Sequence, residues 1–349
     1  MKNNKTSRRA VILTTQAGVG DEWNYRRIVS ESSGIDFAVR SMSTGYGQSR
    51  LRNMWCFFVF PFIIFLQRRR YDYILASQQF YGLLLAFYCR LLGVRKTFVL
   101  VVDTFIYKPK RGLVGRIYGR FMRYVVGSGY VDRYIVRSSA ELTSYQRVLG
   151  IPAERLTFIP LGLGGIGDAP VDQAMAERRY ILSVGRSNRD YGFLTDALQA
   201  YDDHDVEIVC DTCRIEPRNR HIHIYRDIHG DELSLWMKNC YLVVIPLANR
   251  EISSGHLVLL HAMMMGKPVV VTRSEAITDY FVDGETGIAI DNTPAELLAA
   301  IRRLYDDREL YERMSRRCRE LFAARYSAER EAEMTGKVIK MRHIFCELK

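Results

Sequence analysis

The fold that this sequence predicts is centred on SSGHLVLLHAMMMGKPVVVT, residues Ser253–Thr272. A strand-like run over residues 242–247 precedes it, and the pattern predicts a helix from Gly255 to Met265 followed by a second strand. Ser253 or Ser254 can cap the helix. Because the helix is apolar on nearly every side, we expect it to be buried against a sheet. Its N-terminus has no acidic residue and offers backbone N–H groups and a positive dipole end to an anion. On its own, the stretch fits a nucleotide site or an ordinary βαβ crossover equally well.

The length and charge of the chain limit the classes of protein to which it can belong. The 349 residues are enough for two domains of ordinary size, and a hydrophobic content of 48% allows each of them a core. The net charge of +11 indicates an anionic partner such as a nucleotide or an acidic membrane surface. No recognition motif accompanies the basic residues, so nucleic acid is not an expected partner. The scattered cysteines are typical of free thiols in a reducing cytoplasm, and we expect neither a secretory signal nor a membrane-spanning helix.

Strand-like and helix-like runs alternate along both halves of the chain. Short apolar runs such as AVILTT, Ala10–Thr15, are followed by helical patterns, which predicts an α/β protein with Rossmann-like parallel sheets. A glycine-rich segment, Leu161–Gly167, marks the predicted boundary between two such domains. We therefore expect one domain over residues 1–165 and a second over residues 170–330, with a ligand bound in the cleft between them.

Polar residues follow several of the predicted strands, where ligands bind in parallel α/β sheets. Gly18 and Gly20 lie in the loop after the first strand, and they suit either a tight turn or a close backbone approach to a ligand. Asp103 ends a later strand of the first half. Arg186 follows the first strand of the second half, and Arg189 comes three residues later. Their guanidinium groups can hold a diphosphate, and the alternative is a pair of solvated loop arginines.

The segment Met54–Leu66, MWCFFVFPFIIFL, is apolar on all faces and is too short to span a bilayer. Arginines flank it at Arg50, Arg52 and Arg68–Arg70. Aromatic rings beside cations are typical of a segment that lies in a membrane interface, which is the interpretation we favour. The alternative is a buried crossover helix that is kinked at Pro61.

A second segment, Leu113–Val126, combines arginines on one face with apolar residues elsewhere. This pattern predicts a basic amphipathic helix. It is either a solvated face over the sheet or a further contact with membrane or substrate.

The sequence does not predict a metal site. Asp203 and Asp205 lie between a helix and a strand, at the edge of the sheet opposite the expected ligand. His221 and His223 are interpreted as alternating strand residues rather than as ligands. We expect no catalytic metal and no cofactor.

The second half carries a series of motifs in a recognisable order: VGRSNRDYGFLTDAL, HIHIYRDI, LVVIPL, SSGHLVLLHAMMMGKPVVVT and DYFVDGETGIAI. Their order and spacing resemble the donor domain of family 4 glycosyltransferases, and the first half is more weakly similar to the acceptor domain of that family. The resemblance implies the GT-B fold, in which two Rossmann-like domains face each other across a cleft. It also implies sugar transfer from a nucleotide-diphosphate sugar with retention of configuration. In the family the last helix crosses back to the first domain, which residues 331–349 would do here.

The resemblance assigns phosphate-binding roles to the second half. Arg186 matches the arginine that holds the diphosphate in the family. The lysine usually found five residues later is Tyr191 here, and Arg189 is a possible substitute. Backbone N–H groups for the phosphate would come from the helix start, at Ser254, Gly255, His256 and Leu257.

The family's paired glutamates fall on Ser253 and His261, neither of which is acidic. The first position normally contacts the donor sugar and the second the ribose hydroxyls. His261 can still form a hydrogen bond to ribose, and Glu251 is a possible replacement for the missing acid at Ser253. Asp103 lies near the place where the first domain of the family often offers a His or Asp to the reacting sugar.

Together these features predict a cytoplasmic glycosyltransferase that is peripherally associated with the inner membrane through Met54–Leu66 and its flanking arginines. Without a metal, the leaving diphosphate would be stabilised by Arg186 and the helix N-terminus. A lipid-linked saccharide acceptor, used in exopolysaccharide or surface polysaccharide synthesis, would explain the aromatic and basic segments. Two alternatives remain: a nucleotide-sugar epimerase, and a non-catalytic GT-B partner of another transferase.

Overall fold

The computed structural model describes residues 9–16, 18–20, 22–42, 50–164, 169–250 and 254–347. The chain divides into two compact units. Unit 1 contains Met1–Pro160 together with Glu329–Lys349, and unit 2 contains Leu161–Ala328. The last helix is therefore part of the first unit, and the boundary between the units lies directly before the glycine-rich segment.

The described residues form twelve strands and twelve α-helices. The strands are β1 (Ala10–Thr14), β2 (Phe37–Ser41), β3 (Tyr73–Ala76), β4 (Val99–Val102), β5 (Arg133–Val136), β6 (Leu156–Phe158), β7 (Ile181–Val184), β8 (Val206–Val209), β9 (Ile222–Tyr225), β10 (Leu242–Ile245), β11 (Val269–Thr272) and β12 (Gly287–Ile290). The helices are α1 (Asn24–Ser33), α2 (Arg50–Leu66), α3 (Gln79–Leu91), α4 (Gly112–Val126), α5 (Ser139–Leu149), α6 (Gln173–Glu177), α7 (Tyr191–Ala197), α8 (Gly230–Asn239), α9 (His256–Met264), α10 (Pro294–Asp306), α11 (Arg308–Arg325) and α12 (Ala328–Glu347).

Each unit contains one six-stranded parallel sheet. The strand order is β2-β1-β3-β4-β5-β6 in unit 1 and β12-β11-β10-β7-β8-β9 in unit 2. Strands such as β1, β3 and β10 are buried along their whole length, which explains their continuous apolar sequences. The predicted α/β class is therefore confirmed, although most strands are a few residues shorter than their apolar runs.

The chain order reverses at one point in each sheet. In unit 1 this switch point lies between β1 and β3, and in unit 2 it lies between β7 and β10. Ligands of open parallel sheets bind at such points, outside the carboxyl ends of the strands. A ligand site in unit 2 is therefore expected at the loops after β7 and β10.

Helix α2 has features of both structures predicted for the segment Met54–Leu66. Its inner face is buried at Phe60, Ile64 and Phe65, and it packs against α3 with Pro61 inside the helix. Its outer face exposes Trp55 and Leu66, with 67% and 62% of their surface accessible. The segment is thus a crossover helix with an apolar outer face. In the part of the chain that the structure describes, no helix is long and apolar enough to cross a bilayer.

Helix α12 is tied to unit 1 by packing and by charge. Ala332, Val338 and Ile339 are buried in the same core as residues of β1 and β2. The buried Arg137, which follows β5, forms ion pairs with Glu331 of this helix and with Asp103. This buried ionic contact fixes the last helix to the end of the first sheet.

Candidate active site

The loops after β7 and β10 are joined by the side chain of one residue. Asn188 has a left-handed backbone (φ 56°), which asparagine tolerates better than most residues. Its Nδ2 donates to Asn249 O and to Ser254 Oγ, each at 2.8 Å, and its Oδ1 accepts from Asn249 N at 2.8 Å. Both loops at the switch point of the second sheet are therefore held in one arrangement.

The side chain of Arg189 lies between two glycines of these loops. A Cβ atom at Gly185 would be 2.9 Å from its Nη2, and a Cβ atom at Gly255 would be 3.8 Å from its Nη1. The guanidinium group donates from Nε to Val184 O (3.1 Å) and from Nη1 to Ser187 O (3.0 Å). Both glycines have positive φ angles, of 119° and 90°, so a side chain at either position would be strained as well as crowded.

Arg189 is a partly buried cation, and none of the described residues offers it a carboxylate. Burial lowers the pKa of its guanidinium group, although an arginine keeps its charge in proteins. A buried charge without a counter-ion is unfavourable. The position therefore suits an anion, which none of the described side chains supplies.

Helix α9 begins next to this cation. Gly255 is its N-cap residue, none of the described side chains caps the helix, and its first turn contains no acidic residue. The first turn of a helix has backbone N–H groups without intrahelical partners, and these attract anions. His256 packs its ring 4.5 Å from that of Tyr280, and Leu257 is exposed. The structure thus brings the predicted residues Arg189, Ser254 and Gly255 together at one helix N-terminus.

Arg186 and Tyr191 have different roles at this edge of the sheet. Arg186 is exposed and forms an ion pair with Asp211 at 3.0 Å, an exposed contact that a charged ligand can replace at little cost. Tyr191 is buried and donates its hydroxyl to Gly185 O at 2.5 Å. Tyr191 therefore stabilises the glycine turn beside Arg189 rather than supplying a cation.

His261 lies on α9, one helical turn beyond the exposed Leu257. Among the described residues its Nε2 has no hydrogen-bond partner, although this atom is buried. Burial lowers the pKa of the imidazole, which favours the neutral ring. A neutral imidazole can donate to or accept from a hydroxyl, so the geometry is compatible with the ribose role, which stays a prediction.

The predicted residues Glu251 and Ser253 lie outside the described residues. Their described neighbours are anchored: Arg250 forms an ion pair with Asp291 (2.8 Å), and its carbonyl accepts from Ser274 Oγ. Thr272 accepts from Leu247 N (2.7 Å) and donates to an asparagine that follows β12. These anchoring contacts were not predicted from the sequence. The residues that could have indicated them are Asn188 and Asn292, which adopt left-handed backbone conformations.

In unit 1, Asp103 lies at the carboxyl end of β4, as predicted. Its carboxylate is buried, and it accepts from Arg137 Nη2 (2.6 Å), Tyr25 Oη (3.2 Å) and Thr104 N (2.9 Å). These contacts give it a structural role, and its contact with a reacting sugar stays a prediction. Gly18 has φ 72°, whereas Gly20 has no positive φ, and a Cβ atom added at either glycine would meet no described atom within 4 Å.

One group of residues in unit 2 has the ligand types of a metal site: Asp205, Glu207 and His223. Glu207 lies on β8 and His223 on β9, and Asp205 directly precedes β8, away from the carboxyl ends of the strands. Arg178 forms ion pairs with Asp205 (3.0 Å) and with the fully buried Glu207. The single guanidinium group neutralises part of the charge of the two carboxylates, so these residues belong to an internal ion-pair cluster.

Comparison with protein families places both units among sugar transferases. Residues 178–307 match the family described as glycosyl transferases group 1, and residues 7–162 match the glycosyl transferase 4-like domain. Alpha-D-kanosaminyltransferase of Streptomyces kanamyceticus is 39% identical over 88 residues, which cover 25% of this chain. The match spans only 22% of that relative's length.

Two solved structures extend the likeness to the whole fold. The sucrose-phosphate synthase of Thermosynechococcus elongatus has a TM-score of 0.69 and 16% identity, and the alignment covers 97% of this chain and 100% of that one. HepE of Anabaena, solved in complex with UDP-glucose, has a TM-score of 0.66 and 14% identity, with coverage of 95% and 99%. At these identities the two structures report on the fold alone.

Proposed function

Since this chain belongs to the family 4-like glycosyltransferases with the GT-B fold, we propose that it transfers a sugar from a nucleotide-diphosphate sugar to a lipid-linked saccharide. The observation that carries the proposal is the guanidinium group of Arg189, between Gly185 and Gly255 at the start of α9, without a carboxylate partner among the described residues. A diphosphate supplies the missing negative charge.

The donor's diphosphate is also the leaving group of the reaction. In the proposed reaction, Arg189, Arg186 and the first turn of α9 stabilise the charge that develops on it, and no metal or cofactor takes part. When the donor binds, Arg186 leaves its ion pair with Asp211 and contacts the phosphate instead. UDP-hexoses are the first donors to test, because HepE, which has the same fold, was solved with UDP-glucose.

Retention of configuration places the acceptor hydroxyl on the face of the sugar from which the diphosphate leaves. Glu251 and Ser253 are the proposed contacts to the donor sugar, and His261 is the proposed contact to the ribose. Their role is favoured by the anchoring of Arg250 and Ser254 on either side of the segment.

We propose that the protein acts at the cytoplasmic surface of a membrane. Helix α2 exposes Trp55 and Leu66, and helix α4 exposes Leu113 and Ile117 near the exposed arginines of the same helix. Apolar side chains that are flanked by cations match an interface with anionic lipid headgroups. An acceptor carried on a lipid for surface polysaccharide synthesis would be available at this surface.

The alternative functions make different demands on the site. An epimerase needs catalytic acids beside the sugar, but two described acids at this edge already have other roles: Asp291 pairs with Arg250, and Asp190 caps α7. A non-catalytic partner needs only the fold. The replacement of the family's glutamates by Ser253 and His261 is the observation that favours it.

One assay distinguishes these functions. Purified protein is incubated with UDP-, GDP- and ADP-sugars and a membrane lipid extract, and labelled sugar is followed into the lipid fraction. We expect transfer with at least one donor and its loss in Arg186→Ala, whereas Arg218→Met, which breaks a surface ion pair with Asp196, retains it. Conversion of the free donor without an acceptor would indicate an epimerase. Absence of turnover with every donor would leave the non-catalytic partner.

The membrane association is tested separately. The double variant Trp55→Ser, Leu66→Ser removes two exposed side chains on one face of α2. We expect its affinity for vesicles with anionic phospholipid to fall by at least about thirtyfold, because burying the accessible two thirds of each side chain contributes about 1–2 kcal/mol. Val171→Ser, at a position that is 61% exposed in unit 2, is the matched control. Unchanged co-sedimentation of the folded double variant would contradict the proposed surface.

A further inference from the structure

A groove with a volume of about 570 Å³ opens in unit 1 between α2, α3 and α4. Helix α2 supplies Phe57 and Phe58 to one wall, and helix α4 supplies Val114 and Ile117 to the other. The buried Leu84 of α3 is part of the floor. Pockets of this volume and apolar lining are typical of sites that bind small molecules.

The rim of the groove is apolar as well as its floor. Phe58 on one side and Val114 and Ile117 on the other expose 52%, 66% and 61% of their surface. Large apolar side chains that face one another and remain exposed indicate a surface that another molecule covers. The chemistry of the walls selects a hydrocarbon chain as that molecule.

Two polar side chains also line the groove, Gln78 and Lys110. Gln78 is the N-cap of α3 and follows β3, so it lies at the switch point of the first sheet. Lys110 Nζ lies 5.2 Å from the ring centre of Tyr118, and no acidic partner for it is found among the described residues. The groove therefore combines apolar walls with an amide and an ammonium group that suit a phosphate.

Gly115 holds the backbone of Lys110 at the groove. A Cβ atom at Gly115 would lie 1.8 Å from Lys110 O, so only glycine allows the basic loop to pack against the first turn of α4. The arginines Arg116 and Arg120 are exposed on the same helix. An anionic amphiphile thus meets positive charge both inside the groove and beside it.

We infer that this groove binds the hydrocarbon chain of the lipid phosphate that carries the acceptor saccharide. The chain lies between α2 and α4, the phosphate lies beside Lys110 and Gln78, and the saccharide extends toward the carboxyl edge of the first sheet. The assignment of the lipid as acceptor rests on the proposed function. The groove differs from the outer apolar face of α2, because it encloses one chain instead of resting on the membrane.

The experiment uses dodecyl phosphate as the probe, below its micelle concentration, with calorimetry of the full chain. The variant Val114→Trp places a larger apolar side chain in the groove, and Val148→Trp is the matched control, since Val148 is 42% exposed on α5 of the same unit and does not line the groove. We expect the variant at Val114 to weaken binding by at least about tenfold, because excluding two methylene groups costs about 1.6 kcal/mol. Val148→Trp is expected to bind as the wild type does.

Two ligand comparisons and a measurement of the oligomeric state complete the test. Methyl phosphate should bind far more weakly than dodecyl phosphate, and Lys110→Gln should weaken binding of dodecyl phosphate more than binding of dodecanol. Wild-type affinity in Val114→Trp, or no binding of dodecyl phosphate by the wild type, overturns the inference. A dimer that Val114→Trp alone dissociates would also overturn it, since a second copy would then cover the groove.

Donor binding separates this inference from the proposed function. Val114→Trp leaves the residues of unit 2 unchanged and should bind nucleoside diphosphate as the wild type does. Binding of dodecyl phosphate without sugar transfer from any donor would contradict the proposed function and the role as acceptor, while the lipid groove itself would stand. Sugar transfer that is unaffected by Val114→Trp would contradict the groove alone.

Discussion

The replacement Arg189→Met tests whether this partly buried guanidinium group is the phosphate contact. Methionine is unbranched and adaptable, so it can occupy the space between Gly185 and Gly255 without a charge. A charged hydrogen bond contributes about 1.5–3 kcal/mol, and we therefore expect the Kd for a nucleoside diphosphate to rise by about ten- to 150-fold. Calorimetry with UDP, GDP and ADP identifies the nucleotide that binds and measures this change.

The same replacement also affects the stability of the protein without ligand, through two contributions of opposite sign. It removes a charge that burial disfavours, and it also removes the donors that bind Val184 O and Ser187 O. These two effects oppose each other, so we expect the free energy of unfolding to change by less than about 2 kcal/mol. A ligand at 100 times its Kd stabilises the folded state by about 2.7 kcal/mol, and a hundredfold rise in Kd reduces this to about 0.4 kcal/mol.

The control is Arg218→Met, the same chemical change in an exposed ion pair with Asp196. It should leave both nucleotide affinity and stability within experimental error of the wild type. An unchanged Kd in Arg189→Met would refute the proposed phosphate contact. A loss of several kcal/mol of stability without ligand would show that the guanidinium group is structural and that its hydrogen bonds to the two carbonyls dominate.

Two other predictions concern stability. Arg137→Met leaves the buried carboxylates of Asp103 and Glu331 without their shared cation, and we expect the free energy of unfolding to fall by about 3–5 kcal/mol in urea titrations; a loss below about 1 kcal/mol would contradict the buried ion pair. Because burial lowers the pKa of His261, the unfolded chain binds more protons at this residue between its folded pKa and about 6.5, so acidification from neutral pH destabilises the wild type. His261→Gln should lose less stability than the wild type over this range, and equal losses would contradict the assignment.

The fold was predictable because both sheets are parallel and buried. Strands such as β10 and β11 are short runs of valine, leucine and isoleucine between turn residues, and this pattern identifies them without knowledge of their neighbours. The ends of the strands were less predictable. Hydrogen bonding to neighbouring strands, rather than apolar character, decides where a strand stops, and β10 ends at Ile245 although the apolar run continues to Leu247.

The candidate site was predictable only where a residue's role follows from its place along the chain. Arg189 and Gly255 follow the strands that the pattern identified, so their proximity to the helix start could be inferred. The role of Asn188 could not, because it depends on contacts with residues more than sixty positions away. Similarly, the sequence places Asp103 at a strand end, but only packing shows that Arg137 neutralises it.

The structure connects the family's missing lysine with the neighbouring Arg189. Tyr191 stands where the family's lysine is expected, and it donates to Gly185 O, in the turn that lies over the guanidinium group of Arg189. The tyrosine thus fixes the glycine turn beside which the arginine side chain lies, two residues before the usual position of the cation. One positive charge is retained at the start of α9, although its side chain comes from a different residue. For this reason, the missing lysine is weak evidence for a non-catalytic protein, whereas the missing glutamates at Ser253 and His261 have no comparable replacement among the described residues.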